Sequence, residues 1–282
     1  MPFLERSKAP RLYYELDDFT DPWKRAPCVL LQHGGARSSV FWRAWVPYLS
    51  RFYRVIRPDL RGMGQSTKDF NVEDGISTSS CMQDINDLLD HLAIESVHYC
   101  GESSAGIIGM ALAAEYPCRV RTLTLVSSPV YMTEEDKKSS LGDHVTRVEA
   151  LRAMGARGWL EASNAGRRFP SDTDPTMLAW SLDEMAKTDV EVLVAGFLWS
   201  SQADAKPYLP KITAPVLGLY PTGGEGIITR DEQIDYLRAN LKNVRIVRMS
   251  SRAHSLQVVM PAACALEMLY FISQHDGITC RE

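Results

Sequence analysis

The sequence predicts an α/β fold: a mostly parallel central sheet with helices on both faces, interrupted by an inserted helical cap. Three observations carry this. Short apolar, β-branched runs recur with helical stretches between them, the alternation of a parallel sheet layered between helices. The 282 residues, 45% of them hydrophobic, can bury one large core without disulfides or metal. The alternation then breaks between Pro129 and Pro210, where the chain turns polar and helix-like and scatters Trp159, Phe169, Trp180, Phe197 and Trp199.

In chain order, Arg11 to Phe19 reads as an edge strand, followed by strands at Cys28–Gln32, Tyr53–Arg57, Val97–Cys100, Thr122–Val126, Val216–Tyr220 and Val244–Met249. Between them, Thr78 to Leu92 sets Met82, Ile85, Leu88, Leu89 and Leu92 at helical spacing. Gly106 to Tyr116 follows a strand directly, and Pro261 to Gln274 opens on a proline suited to a first helical turn. Residues 1–129 and 211–282 therefore form the expected core and 130–210 the cap. The glycines and arginines of Gly155 to Pro170 predict a connection inside that cap.

A formal net charge of −4 without long charged blocks gives no footprint for nucleic acid or anionic lipid, so a small molecule is the expected partner. No apolar run approaches the roughly 20 residues of a membrane span. Met1 to Pro10 carries Glu5, Arg6 and Lys8 and lacks the apolar centre of a secretory signal, which makes the cytoplasm the expected address. The six cysteines show no C-x-x-C spacing and read as reduced thiols. Exposed cap hydrophobics leave a homodimer open.

Directly after the strand at 97–100 stands Gly101-Glu102-Ser103-Ser104-Ala105-Gly106 and then a helix. Small residues are needed where a strand reverses sharply into a helix around a strained serine. A hydroxyl at that helix N-terminus also meets unsatisfied N–H groups that favour a developing negative charge. The segment resembles the G-x-S-x-G nucleophile elbow, with Ala105 in place of the last glycine. Gln32-His33-Gly34-Gly35 resembles the His-Gly turn of the α/β hydrolases, and Asp59-Leu60-Arg61-Gly62-Met63-Gly64-Gln65-Ser66 their D-x-R-G-x-G-x-S loop. Three features in the right order identify the chain as similar to the α/β-hydrolase superfamily, within it to the capped lactonase, esterase and meta-cleavage-product hydrolase branch. A serine at 103 separates it from dehalogenases and epoxide hydrolases, which place an aspartate there.

That resemblance implies Ser103 as nucleophile and His254, between the last strand and the closing helix, as general base. It implies the N–H groups of Gly35 and Ser104 as oxyanion donors, His33 and the 59–66 loop as structural, and no cofactor. The aspartate expected after the penultimate strand is missing; Glu225 in Pro221-Thr222-Gly223-Gly224-Glu225-Gly226 takes the place of the acid, with Asp231 the runner-up or simply a charge in a helix first turn. Glu102 is expected to tie the elbow together and point away from the serine. Gly34, Phe41, Trp42, Trp180 and Trp199 are the candidate substrate-lining residues, or else ordinary core of the cap. The expected activity is hydrolysis of a carboxylic ester or lactone of a small apolar or aromatic molecule. Hydrolysis of a carbon–carbon bond beside a ketone, acyl transfer, a cofactor-free haloperoxidase activity and a non-catalytic ligand receptor remain open on the same site.

Overall fold

The apolar runs at 28–32, 97–102 and 120–126 are buried along nearly their whole length, as strands in the middle of a sheet covered on both faces must be. The computed structural model describes residues 2–7, 9–71, 73–138, 141, 143–164, 168–223 and 230–280. Its strands are β1 (Phe3–Leu4), β2 (Leu12–Asp17), β3 (Cys28–Gln32), β4 (Arg54–Pro58), β5 (Val97–Glu102), β6 (Val120–Val126), β7 (Val216–Pro221) and β8 (Val244–Met249). Its helices are α1 (Val46–Leu49), α2 (Thr78–His91), α3 (Ser104–Glu115), α4 (Glu134–Lys137), α5 (Arg147–Asn164), α6 (Pro175–Met185), α7 (Val190–Gln202), α8 (Asp231–Asn240), α9 (Leu256–Val259) and α10 (Pro261–Asp276).

One sheet runs in the order β1-β2-β4-β3-β5-β6-β7-β8. β1 and β2 pair antiparallel at one edge, and every pairing from β4 to β8 is parallel. Alternation along each strand feeds two cores. Leu30, Tyr99 and Leu123 join residues of α2, α3 and α8 on one face, whereas Val29, Leu31, Cys100 and Val126 join α10 on the other. A third, smaller core of Leu151, Trp159, Leu160, Met185 and Leu193 holds the helices between β6 and β7 together and reaches Ala36 and Phe41 after β3. No helix among the described residues is long and apolar enough to cross a membrane.

Two details differ from the sequence expectation. β1 is too short to leave a periodic signal. The stretch from Gly155 is no open connection up to Asn164: α5 is two helical segments that meet at Gly155, whose non-helical φ of 69° and ψ of 174° only glycine adopts cheaply.

Candidate active site

Register places the site. Gln32 of β3 lies opposite Gly101 of β5, so the two strands leave the sheet side by side at its carboxyl edge. His33-Gly34-Gly35 and Glu102-Ser103 emerge as neighbours. The approach is too close for a side chain on Gly34: a Cβ there would lie 2.7 Å from the Glu102 carbonyl oxygen and 2.9 Å from the Ser103 Cβ.

Ser103 sits between β5 and α3 at φ 55° and ψ −127°, a conformation costing about 1–3 kcal/mol for a residue with a side chain. Its N–H donates to Val126 O (3.0 Å) and its carbonyl accepts from Gly106 N–H (3.0 Å), which fix the strained turn. The departure at Ala105 falls where it is harmless. The tight approaches belong to Gly101 and Gly106, whose added Cβ would meet Ala105 O at 2.6 Å and Ser128 Oγ at 1.9 Å.

From the loop between β8 and α9, His254 brings Nε2 to 3.1 Å from Ser103 Oγ; the residue is 1% exposed. Gly35, Ser103 and Ser104 line one cavity of about 140 Å³, the scale that admits a single small aromatic ring. Ser104 opens α3, where N–H groups lack intrahelical partners, and a Cβ on Gly35 would meet nothing within 4 Å, so the chain there borders open space.

Glu102 is fully buried. Its Oε2 accepts the Gly34 N–H (3.0 Å) and lies 3.3 Å from Arg37 Nη1, while Oε1 lies 3.6 Å from His254 Nε2. The side chain thus ties the elbow to the preceding loop, as expected, but one oxygen faces His254 instead of turning away. Burial pushes its carboxyl above the ordinary glutamate range, opposed by Arg37, the Gly34 N–H and Arg168.

His33 is a structural link: Nε2 accepts the Leu60 N–H (2.9 Å), which leaves Nδ1–H to donate to Gly34 O (2.8 Å). Burial holds it below its ordinary pKa. In the 59–66 loop, Asp59 accepts from Ser39 N–H and Gln65 N–H, and Arg61 forks onto Asp84.

Glu225 lies outside the described residues. The chain leading to it does reach the histidine loop, since Thr222 N–H donates to both Met249 O and Ser251 O. Asp231 stands apart, largely exposed on the first turn of α8 and paired with Arg248. Of the aromatic candidates Trp199 lines the cavity, its Nε1–H held by Thr78 Oγ1. Phe41, Trp42 and Trp180 do not. Trp42 is wholly buried against Trp45 in the core on the α10 face, and Phe41 packs on Trp180 beside the cavity, because the turn after Ser38 points these rings into packing positions.

The sequence reading missed the cationic part of the wall. Arg147 of α5 is 8% exposed, its guanidinium 4.5 Å from the Phe197 ring centre and its Nη2 on the Asp136 carbonyl oxygen. Arg168 lies 5.5 Å from the Trp159 ring centre and donates to Ser163 Oγ. All six of these residues line the cavity. Arginines interleaved with aromatics in the insertion were the available signal.

A family model described as alpha/beta hydrolase fold matches residues 27–165. The putative carbamate hydrolase RutD of Stutzerimonas stutzeri is 23% identical over 256 residues, covering 88% of this chain and 91% of that protein. The 3-oxoadipate enol-lactonase 1 of Acinetobacter baylyi is 26% identical over 197 residues, 69% of this chain and 70% of the relative. Among solved structures, an enol-lactonase from Burkholderia xenovorans superposes with a TM-score of 0.83 at 24% identity, covering 96% of this chain and all of that one.

Proposed function

Because the chain belongs to the α/β-hydrolase superfamily, we propose that it cleaves a carboxylic ester or lactone of a small molecule through an acyl-enzyme on Ser103. The observation that carries this reading is the 3.1 Å contact between His254 Nε2 and a serine hydroxyl held on a strained turn over a cavity. Ser103 Oγ bonds to the substrate carbonyl carbon as its proton passes to His254 Nε2, and the carbonyl electron pair moves onto oxygen. The N–H groups of Gly35 and Ser104 hold that oxyanion. Its collapse breaks the carbon–oxygen bond of the ester, and the leaving alkoxide takes the proton from His254. Water then repeats the cycle, releasing the acid and restoring the Ser103 hydroxyl. Glu225, three residues beyond the Thr222 contact with the histidine loop, is the proposed acid that orients and stabilises the imidazolium.

The wall narrows the substrate. Trp159, Phe197 and Trp199 favour an apolar or aromatic body, and the Arg147 and Arg168 guanidiniums favour an anionic group on it. The relatives named as enol-lactonase and carbamate hydrolase support carbonyl hydrolysis as the reaction class.

Hydrolysis of p-nitrophenyl esters, aromatic lactones and vinylogous diketones by wild type, Ser103→Ala, His254→Ala, Glu225→Gln and Asp231→Asn tests the reading. Ester or lactone turnover abolished by the Ser103 and His254 changes, damaged by Glu225→Gln and spared by Asp231→Asn, is the expected result. Preferential turnover of the diketones replaces it with carbon–carbon cleavage. Failure of a serine-directed phosphonate to label Ser103, with small ligands still raising the melting temperature, replaces it with a receptor.

A further inference from the structure

The residue before the nucleophile and an arginine two positions beyond the Gly34-Gly35 turn form a buried pair that no step above uses. Glu102 and Arg37 are 0% and 2% exposed at the side chain. Arg37 donates through Nη2 to Ser255 Oγ (2.8 Å) and through Nη1 to Gly35 O (3.3 Å), while Glu102 Oε2 receives the Gly34 N–H. The two side chains therefore join the oxyanion loop, the elbow and the histidine loop. A tie needs one carboxylate oxygen. The other, Oε1, is left 3.6 Å from the nitrogen of His254 that receives the serine proton.

Resting on the hydrolase reading, we propose that Glu102 and Arg37 are positioning residues that set the proton affinity of His254 from its Nε2 side, Glu102 raising it and Arg37 moderating Glu102. A carboxylate at this distance stabilises the imidazolium that forms when Ser103 gives up its proton. It acts from the Nε2 side, whereas an orienting acid acts on Nδ1. Arg37, the Gly34 N–H and Arg168 oppose the burial that favours the neutral form of this carboxyl. Among the described residues, the charged groups at the His254 loop include Glu102 from β5, Arg37 from the loop after β3, which holds Glu102 and Ser255, and Arg168, whose carbonyl accepts the Ser255 N–H. Arg252 faces Asp172 at the surface, and Glu225 lies outside the described residues.

The test is the pH profile of kcat/KM on a p-nitrophenyl ester, whose acid limb reports the protonation of His254 in the free enzyme. Glu102→Gln moves that limb toward lower pH by about one unit and lowers the plateau roughly tenfold. Arg37→Gln moves it toward higher pH, because the coupled Glu102 and His254 then hold their shared proton longer. A purely structural tie lowers the plateau and moves neither limb, and that result overturns the proposal. If Glu102→Gln fails to give a cooperative melting transition, the direction of the Arg37→Gln shift decides alone, with no shift overturning it. Ser103→Ala in the same assay separates the two readings. Turnover that survives it removes the hydrolase reading and this one together, whereas an inactive Ser103→Ala with immobile limbs removes this one only.

Discussion

Strand β5 has a hydroxyl, an imidazole and a carboxylate gathered at each of its two ends. At its start His98 takes the Thr122 hydroxyl on Nδ1 (2.9 Å) and gives Nε2–H to Asp276 (2.9 Å), which also accepts from Tyr53 OH (3.2 Å). At its end Ser103 meets His254 with Glu102 alongside. The residue types match, but at the start each ring nitrogen has its own partner, whereas at the end hydroxyl and carboxylate both face Nε2, at 3.1 and 3.6 Å, and the surroundings differ. Thr122 is an ordinary β6 residue, fully buried, and none of these four side chains lines a described cavity. Ser103 stands on a positive-φ turn, over a cavity, at the head of α3. A trio of groups becomes a reaction centre through access and through N–H donors left for a developing charge; without them it is a structural clamp.

Exchanging one hydroxyl at each end gives the largest contrast. Ser103→Ala lowers ester turnover by at least about 10³-fold. Thr122→Val leaves kcat/KM within about twofold and costs on the order of 1 kcal/mol in urea unfolding, the worth of one hydrogen bond. Comparable losses of turnover from both would erase the distinction.

Next in size is the close approach at the Ser103 end. Gly34→Ala places a methyl against the Glu102 carbonyl and Ser103, so the elbow and the oxyanion loop must part. Displacements of that order cost about 10- to 100-fold in kcat. Thermal unfolding measured beside kinetics shows whether the loss is in the chemistry, as expected, or in folding.

Third, Asp276→Asn at the other end leaves kinetics intact and shifts the urea midpoint by the equivalent of about 1.5–3 kcal/mol, the range for hydrogen bonds to a charged acceptor. Although burial raises the Asp276 carboxyl, the bond from His98 holds it below its ordinary 3.8 overall. Asparagine keeps the shape and loses the charge.

The two ends also differ in how far the sequence announced them. The Ser103 end left local signatures, because a strained turn demands small residues at fixed spacing: Gly101-Glu102-Ser103, His33-Gly34-Gly35 and the glycines of 62–64 could all be read from neighbours in the chain. The clamp could not. His98, Thr122, Asp276 and Tyr53 come from four separate elements, and only the register of β5 on β6 and the return of α10 bring them together. The same rule explains the misses within the site. Trp42, open between substrate wall and ordinary core, is core because packing against Trp45 sets its direction, and Arg37 reaches Glu102 across 65 positions of chain. The strands were legible because burial on both faces forces continuous apolar runs; of the helical wall of the cavity, whose packing is set by tertiary contacts, Trp199 was legible and the arginines were not.

The smallest effect sharpens the comparison through pH. Burial holds His98 below its ordinary 6.5 despite the neighbouring Asp276, so the native protein keeps the imidazole neutral while the unfolded chain binds a proton as pH falls through 6.5. The unfolded state then carries more protons, and stability must decline on acidification below 6.5, with no contribution above it. Asp276, depressed from 3.8, adds its own loss only below that value. Urea midpoints measured between pH 7.5 and 5 are expected to fall, and His98→Gln to flatten the slope without abolishing it, since buried His33 is depressed in the same sense. An unchanged slope in His98→Gln would mean that His98 titrates alike in the native and unfolded states, and a steeper one that it is charged in the native state, so that this trio is an ion pair and not a neutral clamp.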